Sequence, residues 1–383
     1  MGGSELIKVP FNRFFHRDEE IEFAVRALKS GVTAGNGPLG KQVETLLSQR
    51  LDNAPTLLFS SCTHALEAAA LLLDLQPGDE VILASYNFVS SANAFALRGA
   101  QLRWAEISPT SLCLSLENIE RAIGPRTKAV CVVNYNGAGQ ELAAIREFLD
   151  ERGIWLVEDN AHGFGGEASG KPLGTFGHVS VTSFHQTKNI SSGEGGALTL
   201  NARELLPRAE IIRDKGTDRQ EMTRGRTDKY LWQNLGSSWV LSDVLAGLLI
   251  PQLEKLDQIL EGRRSIWWRY WNELTRWAER YEVQIPPDPM ELENTGHVFW
   301  MILPSQGARD RLIRHLALNG VNAPFHYQSL HLSPYALSRS WPGAFLPESD
   351  RASGQLIRLP LFRGLTPDQQ SKVIEHVLEF TST

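Results

Sequence analysis

The sequence is poor in several things, and each shortage excludes something. Only three cysteines occur among 383 residues, Cys62, Cys113 and Cys131. Their spacing fits neither a zinc-ligand pattern nor a disulfide framework, and so low a count suits a reducing compartment. No metal site is expected. No run of about 18 apolar residues occurs, which argues against a membrane-spanning helix. Basic charge forms no stripe: 38 Lys and Arg stand against 44 Asp and Glu, for a net charge of −6. Nucleic acid is therefore not an expected partner. Met1-Gly2-Gly3-Ser4-Glu5 has neither the basic start nor the apolar stretch of a signal peptide, so a cytoplasmic location is expected. No G-x-G-x-x-G opens the first strand–helix turn. The first such turn reads Ser61-Cys62-Thr63, which argues against a dinucleotide-binding fold.

What is present is an alternation. Short apolar runs at 56–60, 80–85, 102–107, 129–135, 154–158, 179–184 and 196–200 read as strands. Helical patterns at 63–75, 89–98 and 142–151 lie between them. This order predicts βαβ units, a mostly parallel sheet and an α/β fold. The character changes near Pro251. A helix over about 253–281 is predicted, with Trp267, Trp268 and Trp271 at core spacing. After Pro286-Pro287 a smaller α+β unit follows, with strands at 297–303 and 357–361, helices at 308–318 and 367–380, and a loop at 324–334. Residues 1–250 are read as an N-terminal arm and large domain, and 251–383 as a connecting helix and small C-terminal domain.

A parallel sheet puts its ligand at the carboxyl ends of its strands. Ser61, Tyr86, Asn134, Asp159 and His185 fall at those ends. The segment Ser183-Phe184-His185-Gln186-Thr187-Lys188 then sets a lysine just past a strand, before the glycine-rich turn Gly193-Glu194-Gly195-Gly196. A desolvated lysine loses its proton readily and forms Schiff bases. Taken alone it is more simply a surface lysine before a hairpin. Ser61-Cys62-Thr63 opens a helix, and such a terminus cradles phosphate as readily as it makes an ordinary cap. Asp159 ends a strand, where a carboxylate either caps a turn or keeps a pyridinium nitrogen protonated. Phe88 offers an aromatic face, or plain core. Together at one sheet edge, the four are far more specific than any one of them.

These strings resemble those of the DegT/DnrJ/EryC1/StrS sugar aminotransferases, a branch of the fold-type I, aspartate aminotransferase-like pyridoxal-phosphate enzymes. The resemblance runs from Val9-Pro10-Phe11-Asn12 to Leu359-Pro360-Leu361 and includes Gln76-Pro77-Gly78-Asp79-Glu80-Val81, Lys215-Gly216-Thr217, Asp228-Lys229-Tyr230 and Phe325-His326-Tyr327. It is strongest to dTDP-4-keto-6-deoxyglucose 4-aminotransferases of enterobacterial-antigen type. It implies a large domain with a mostly parallel mixed sheet plus a small α+β C-terminal domain. It implies that Lys188 is the Schiff-base lysine, Asp159 the partner of the pyridine nitrogen and Phe88 the ring's stacking face. Cys62, Thr63 and Ser183 match phosphate-holding positions, and His162 a Gln-or-His position near the phenolic oxygen. Ser238 stands where many relatives carry an Asn donated by the neighbouring subunit, so a homodimer with shared active sites is implied. Arg219, Lys229 and Tyr230 resemble the nucleotide-sugar wall. His326 and Tyr327 resemble the loop that closes over substrate. Three positions depart from the pattern: Asn87 for a common Thr, Asn134 for a common His, and Asn136 for a smaller residue. All three are expected near the sugar.

The implied reaction is a two-stage transamination. L-glutamate displaces Lys188, whose freed amine then shuttles a proton, and the steps reverse on a keto sugar. The related sugar dehydratases carry His where this chain has Lys188. The strings Phe184-His185, Thr187-Lys188-Asn189 and Gly236-Ser237-Ser238 favour amination at C4 over C3. The intact set of Lys188, Asp159 and Phe88 argues against a catalytically silent binding protein on this fold. The product epimer and the pathway served are not encoded in any of these motifs.

Overall fold

The computed structural model describes residues 9–139, 141–288, 294–339, 341 and 344–381. Met1–Glu5, considered above for a signal peptide, lies outside the described residues. Each predicted apolar run of the first 200 residues forms a strand: β1 (Thr56–Phe59), β2 (Glu80–Ala84), β3 (Gln101–Ala105), β4 (Thr127–Val133) and β5 (Trp155–Asp159). A two-residue hairpin follows, β6 (Glu167–Ala168) and β7 (Lys171–Pro172), then β8 (Val179–Ser183) and β9 (Gly196–Leu200). Seven of them build one sheet in the order β1-β9-β8-β5-β4-β2-β3. β9 runs against both of its neighbours, and every other pairing in the sheet is parallel.

The strands read as continuous apolar runs because the sheet is covered on both faces. Val81 and Leu83 pack with the helices Cys62–Leu72 and Val89–Ala96, while Ile82 and Ala84 face the helix Leu142–Asp150. Side chains alternate across the sheet, so neighbours in sequence enter different cores. The carboxyl ends of β1, β2, β4, β5 and β8 therefore share one edge.

The C-terminal part adds β10 (Phe299–Ile302) and β11 (Leu356–Leu359), paired antiparallel. Their alternation divides them between two cores. Phe299, Met301, Ile357 and Leu359 pack with Trp267, Tyr270, Leu274 and Trp277 of the helix Leu256–Arg280. Trp300, Ile302 and Leu356 join the core on the large sheet. Trp268 and Trp271 are partly buried against the same cluster as Trp267, as their spacing predicts. The predicted helix at 253–281 is in fact two helices that break at Lys255. Pro251 does not open the change of character, because it is buried in the last turns of the helix Asp243–Glu254. It lacks an N–H, and the helix ends within one turn of it. Among the described residues, no helix is long and apolar enough to cross a membrane.

Candidate active site

A cavity of about 970 Å³ opens at the carboxyl edge of the sheet. Its floor is the N-terminus of the helix Cys62–Leu72, where the Ser61 hydroxyl accepts from His64 N at 3.1 Å. Thr63 Oγ1 lies 2.8 Å from Ser90 Oγ, a residue of the next helix start. Ser61, Cys62, Thr63, Ser90 and Ser183 line this corner with backbone N–H groups and hydroxyls. Gly196, the first residue of β9, is required by space: a Cβ there would stand 2.4 Å from Cys62 N. Gly193 instead takes a left-handed conformation, at φ 84°, and turns the chain between β8 and β9.

That connection carries Lys188 and is held firmly. Phe184 N donates to Gly195 O at 2.9 Å, and Gln186 N to Gly193 O at 3.0 Å. Gln252 clamps it from behind, accepting from Ser191 N and donating to Ser191 O. Asn12 Nδ2 donates to Gln186 O from the N-terminal segment, and Asn189 Oδ1 meets His297 Nδ1 at 2.8 Å. The Lys188 side chain faces the cavity, and burial pulls its amine down to about 8. The carboxylate of Asp159 opposes this pull, and the nearby Arg358 guanidinium adds to it.

Asp159 ends β5, takes a hydrogen bond from Ser91 Oγ at 2.8 Å and another from Ala161 N at 3.1 Å. Burial pushes its carboxyl up from the usual range, against both bonds and against Lys188. Beside it, His162 Nε2 lies 3.3 Å from the Tyr327 hydroxyl. If that hydroxyl donates, Nδ1 carries the ring's proton, and Nδ1 is buried without a partner among the described residues. Asn87 Nδ2 is a second such donor. Phe88 stands at the cavity 55 % exposed, an aromatic ring the chain does not cover. Tyr327 and His326 stack at 3.6 Å, and His326 Nδ1 meets the Tyr135 hydroxyl at 2.7 Å. Their loop is tied down on the sheet: Leu330 N donates to Ser85 O, and His331 Nδ1 meets Ser85 Oγ at 2.7 Å.

Nine of the residues singled out from the sequence therefore line one cavity: Cys62, Thr63, Phe88, Asp159, His162, Ser183, Lys188, His326 and Tyr327. Arg219, Lys229, Tyr230 and Ser238 do not, and all four are exposed. The three departing asparagines separate. Asn87 lines the cavity. Asn134 does not, because its amide is bound to Glu158 and Asn160 within the scaffold, at 2.8 and 3.0 Å. Asn136 does not either, because its side chain accepts from Val298 N at 3.0 Å. Of the three expected near the sugar, Asn87 alone lines the cavity.

Sequence reasoning missed Ser90, Ser91, His297 and Arg358, which all line the cavity. Ser90-Ser91 repeats the signal of Ser61-Cys62-Thr63, hydroxyls in the first turn of a helix after a strand. Arg358 is a lone charge in the apolar strand Leu356–Leu359, opposite in phase to Ile357 and Leu359. It donates to Phe325 O at 2.9 Å and stacks on Phe11, and its Nε has no partner.

This donor set fits a flat phosphorylated carbonyl cofactor. It offers an amine of lowered basicity, a buried carboxylate within its field, a helix terminus ringed with hydroxyls, and two buried side-chain nitrogens, on His162 and Asn87, without partners among the described residues. Comparison with known proteins agrees. Residues 16–378 match the DegT/DnrJ/EryC1/StrS aminotransferase family. The fold is similar to that of the aminotransferase TlmJ from Streptoalloteichus hindustanus, at 30% identity and a TM-score of 0.86 over 97% of both chains. It is also similar to NtdA from Bacillus subtilis, solved with its cofactor PMP, at 24% identity and 0.87 over 98% of this chain and 86% of that one. Helicobacter pylori PseC shares the fold at 21% identity and 0.89, over 97% and 98%. The chain belongs to the DegT/DnrJ/EryC1/StrS aminotransferase family and is a pyridoxal-phosphate-dependent aminotransferase.

Proposed function

We infer that this enzyme moves an amino group from L-glutamate to C4 of a nucleotide-linked 4-keto-6-deoxy sugar, dTDP-4-keto-6-deoxy-D-glucose, giving a dTDP-4-amino-4,6-dideoxy sugar. The observation that carries the chemistry is Lys188, an amine of lowered basicity sharing a cavity with the buried carboxylate of Asp159. The Cys62–Thr63 helix end with Ser183 would hold the cofactor's phosphate, Asp159 its pyridine nitrogen and His162 its phenolic side, with Phe88 on the ring. Bound pyridoxal phosphate supplies the electron sink that makes the donor's Cα proton labile. Lys188 Nζ would hold the cofactor at rest and, once released, would take that proton from the donor's Cα in one half-reaction and deliver one to the sugar's C4 in the other. Arg358, a half-buried cation in the cavity wall whose Nε has no partner among the described residues, fits a carboxylate of the donor. His326 and Tyr327, which line the cavity, would lie against the substrate.

The choice of sugar rests on the resemblance of the strings around Lys188 and at Gly236-Ser237-Ser238. It is supported by a cavity large enough for a sugar beside the cofactor. Arg219, Lys229, Tyr230 and Ser238 face outward, which suits a homodimer in which each chain completes its partner's site. The test is incubation with pyridoxal phosphate, L-glutamate and dTDP-4-keto-6-deoxyglucose, followed by NMR of the product. An amine at C4 is expected, and the spectrum also assigns the epimer. No amino sugar from this substrate, with one from the 3-keto isomer, would overturn the regiochemistry.

A further inference from the structure

A second cavity, of about 300 Å³, lies between Arg17, the first turns of the helix Leu256–Arg280 and the turn at 363–365. Four cations stand at it: Arg17, Lys255, Arg263 and Arg363. Lys255 pairs with Glu19 at 2.6 Å, and Arg363 with Glu20 at 2.9 Å. Glu20 also accepts from Arg17 N and lies 3.4 Å from His16. Among the described residues, no carboxylate forms an ion pair with the guanidinium of Arg17 or of Arg263.

Arg263 is the telling one, because it is 3 % exposed. Its Nη2 donates to His297 O at 2.7 Å and to Leu361 O at 3.3 Å, while its Nε is buried without a partner. Burial alone acts on its charge and pulls it down to about 10. A buried cation with no counter-charge is unfavourable, and an anion from outside removes the penalty. Gly262 lies on the exposed side of the same helix at the cavity wall, and a Cβ there would meet no atom within 4 Å, so a larger side chain can be placed at the mouth without a clash.

We propose that this cavity binds a phosphate dianion or a small phosphomonoester, held by Arg17 and Arg263. The four cations exceed Glu19 and Glu20 by two, which matches a dianion. Ile259, Ile266 and Leu365 give the apolar wall for a small organic part. Arg263 also holds the carbonyls of His297 and Leu361, which line the active-site cavity, so ligand and active-site wall share one side chain.

The test is thermal unfolding of the cofactor-loaded enzyme in inorganic phosphate, against chloride of equal ionic strength. Loading fills the phosphate cradle of the first cavity beforehand. The wild-type Tm is expected to rise by about 3 °C or more at saturating phosphate. Gly262→Glu places a tethered carboxylate in the cavity and should abolish the response. Arg17→Ala changes an exposed side chain, keeps the test open if the first variant does not fold, and should weaken phosphate binding at least about tenfold. Glycerol 3-phosphate in place of phosphate separates a phosphomonoester from the bare ion by the size of the shift. No response in the wild type, or an unchanged response in either folded variant, overturns the proposal.

Discussion

The loop at 183–196 and the segment at 224–238 are of similar length and opposite in character. The first is held from Gln252, Asn12 and His297 and presents one amine to a cavity. The second is exposed throughout, and its ties run to the chain just before it: Arg224 pairs with Glu210 and Glu221, Leu231 N and Gln233 Nε2 donate to Asp218, and Gln233 N to Gly216 O. It leaves Tyr230, Leu231, Trp232 and Leu235 bare, with Trp232 78 % exposed. A bare apolar stretch of this kind marks an interaction surface. The groups lining the cavity are thus assembled within one chain, whereas the segment proposed to recognise the sugar presents bare apolar side chains, where the proposed partner chain would dock.

The contrast is broken most directly at Lys188. Lys188→Ala should lower turnover by at least about a thousandfold, since covalent attachment and proton transfer are lost together. The visible absorbance of the cofactor-bound enzyme should vanish with it. Normal activity in this variant would remove the central assignment. A smaller effect is expected at Trp232. Trp232→Asp puts a charge into the bare segment, so the scattering mass should fall from two chains to one and turnover by about tenfold or more, as for a buried aromatic anchor. The Lys188-dependent absorbance should persist. A wild-type mass of one chain would refute the shared site without touching Lys188.

The same contrast explains what the sequence made legible. Strands β1 to β5, β8 and β9 were readable because a doubly covered sheet leaves unbroken apolar runs between turn residues. Lys188, Asp159 and Thr63 could be placed at the cavity's edge because each lies at, or within five residues of, the end of such a run. The helices Asp18–Ser30 and Pro38–Arg50 went unread, because they mix charge with apolar residues and bury few side chains. Arg358 went unread because a strand's alternation does not say what lies opposite its odd residue. Asn134 was misread for a related reason. Its place at a strand end was visible, but the Glu158 carboxylate that claims it points into the scaffold, where it also accepts from Gly174, Phe176 and Gly177. Position along a strand is local information, whereas the partner of a buried polar group is set by the tertiary fold.

A prediction of intermediate size sharpens the chemical half. Lys188 titrates near 8 because burial disfavours its charged form. In the cofactor-free enzyme, its acetylation followed by mass spectrometry should rise about fivefold between pH 7 and 8 and level off above pH 9, as the neutral amine fills. A free lysine, at about 10.4, would still be gaining tenfold per unit through that range. The sign for stability follows. The folded chain releases this proton before the unfolded chain does, so Lys188 contributes a gain in stability as pH rises from about 8 toward the unfolded value.

The smallest expected effects separate two asparagines that look alike in the sequence. Asn134→Ala removes a buried amide from Glu158 and Asn160, so it should cost about 1–3 kcal/mol in denaturant unfolding and leave the KM for the keto sugar unchanged. Asn87→Thr acts in the opposite way. Its Oδ1 accepts from Phe88 N at 2.6 Å, a bond a threonine hydroxyl can replace, and its Nδ2 has no partner to lose. Stability should therefore hold within about 0.5 kcal/mol, while the KM for the keto sugar moves a few-fold, because Asn87 is the one of the three that faces the cavity. If Asn134→Ala moved KM and Asn87→Thr did not, the division between scaffold and site drawn from these hydrogen bonds would have to be reversed.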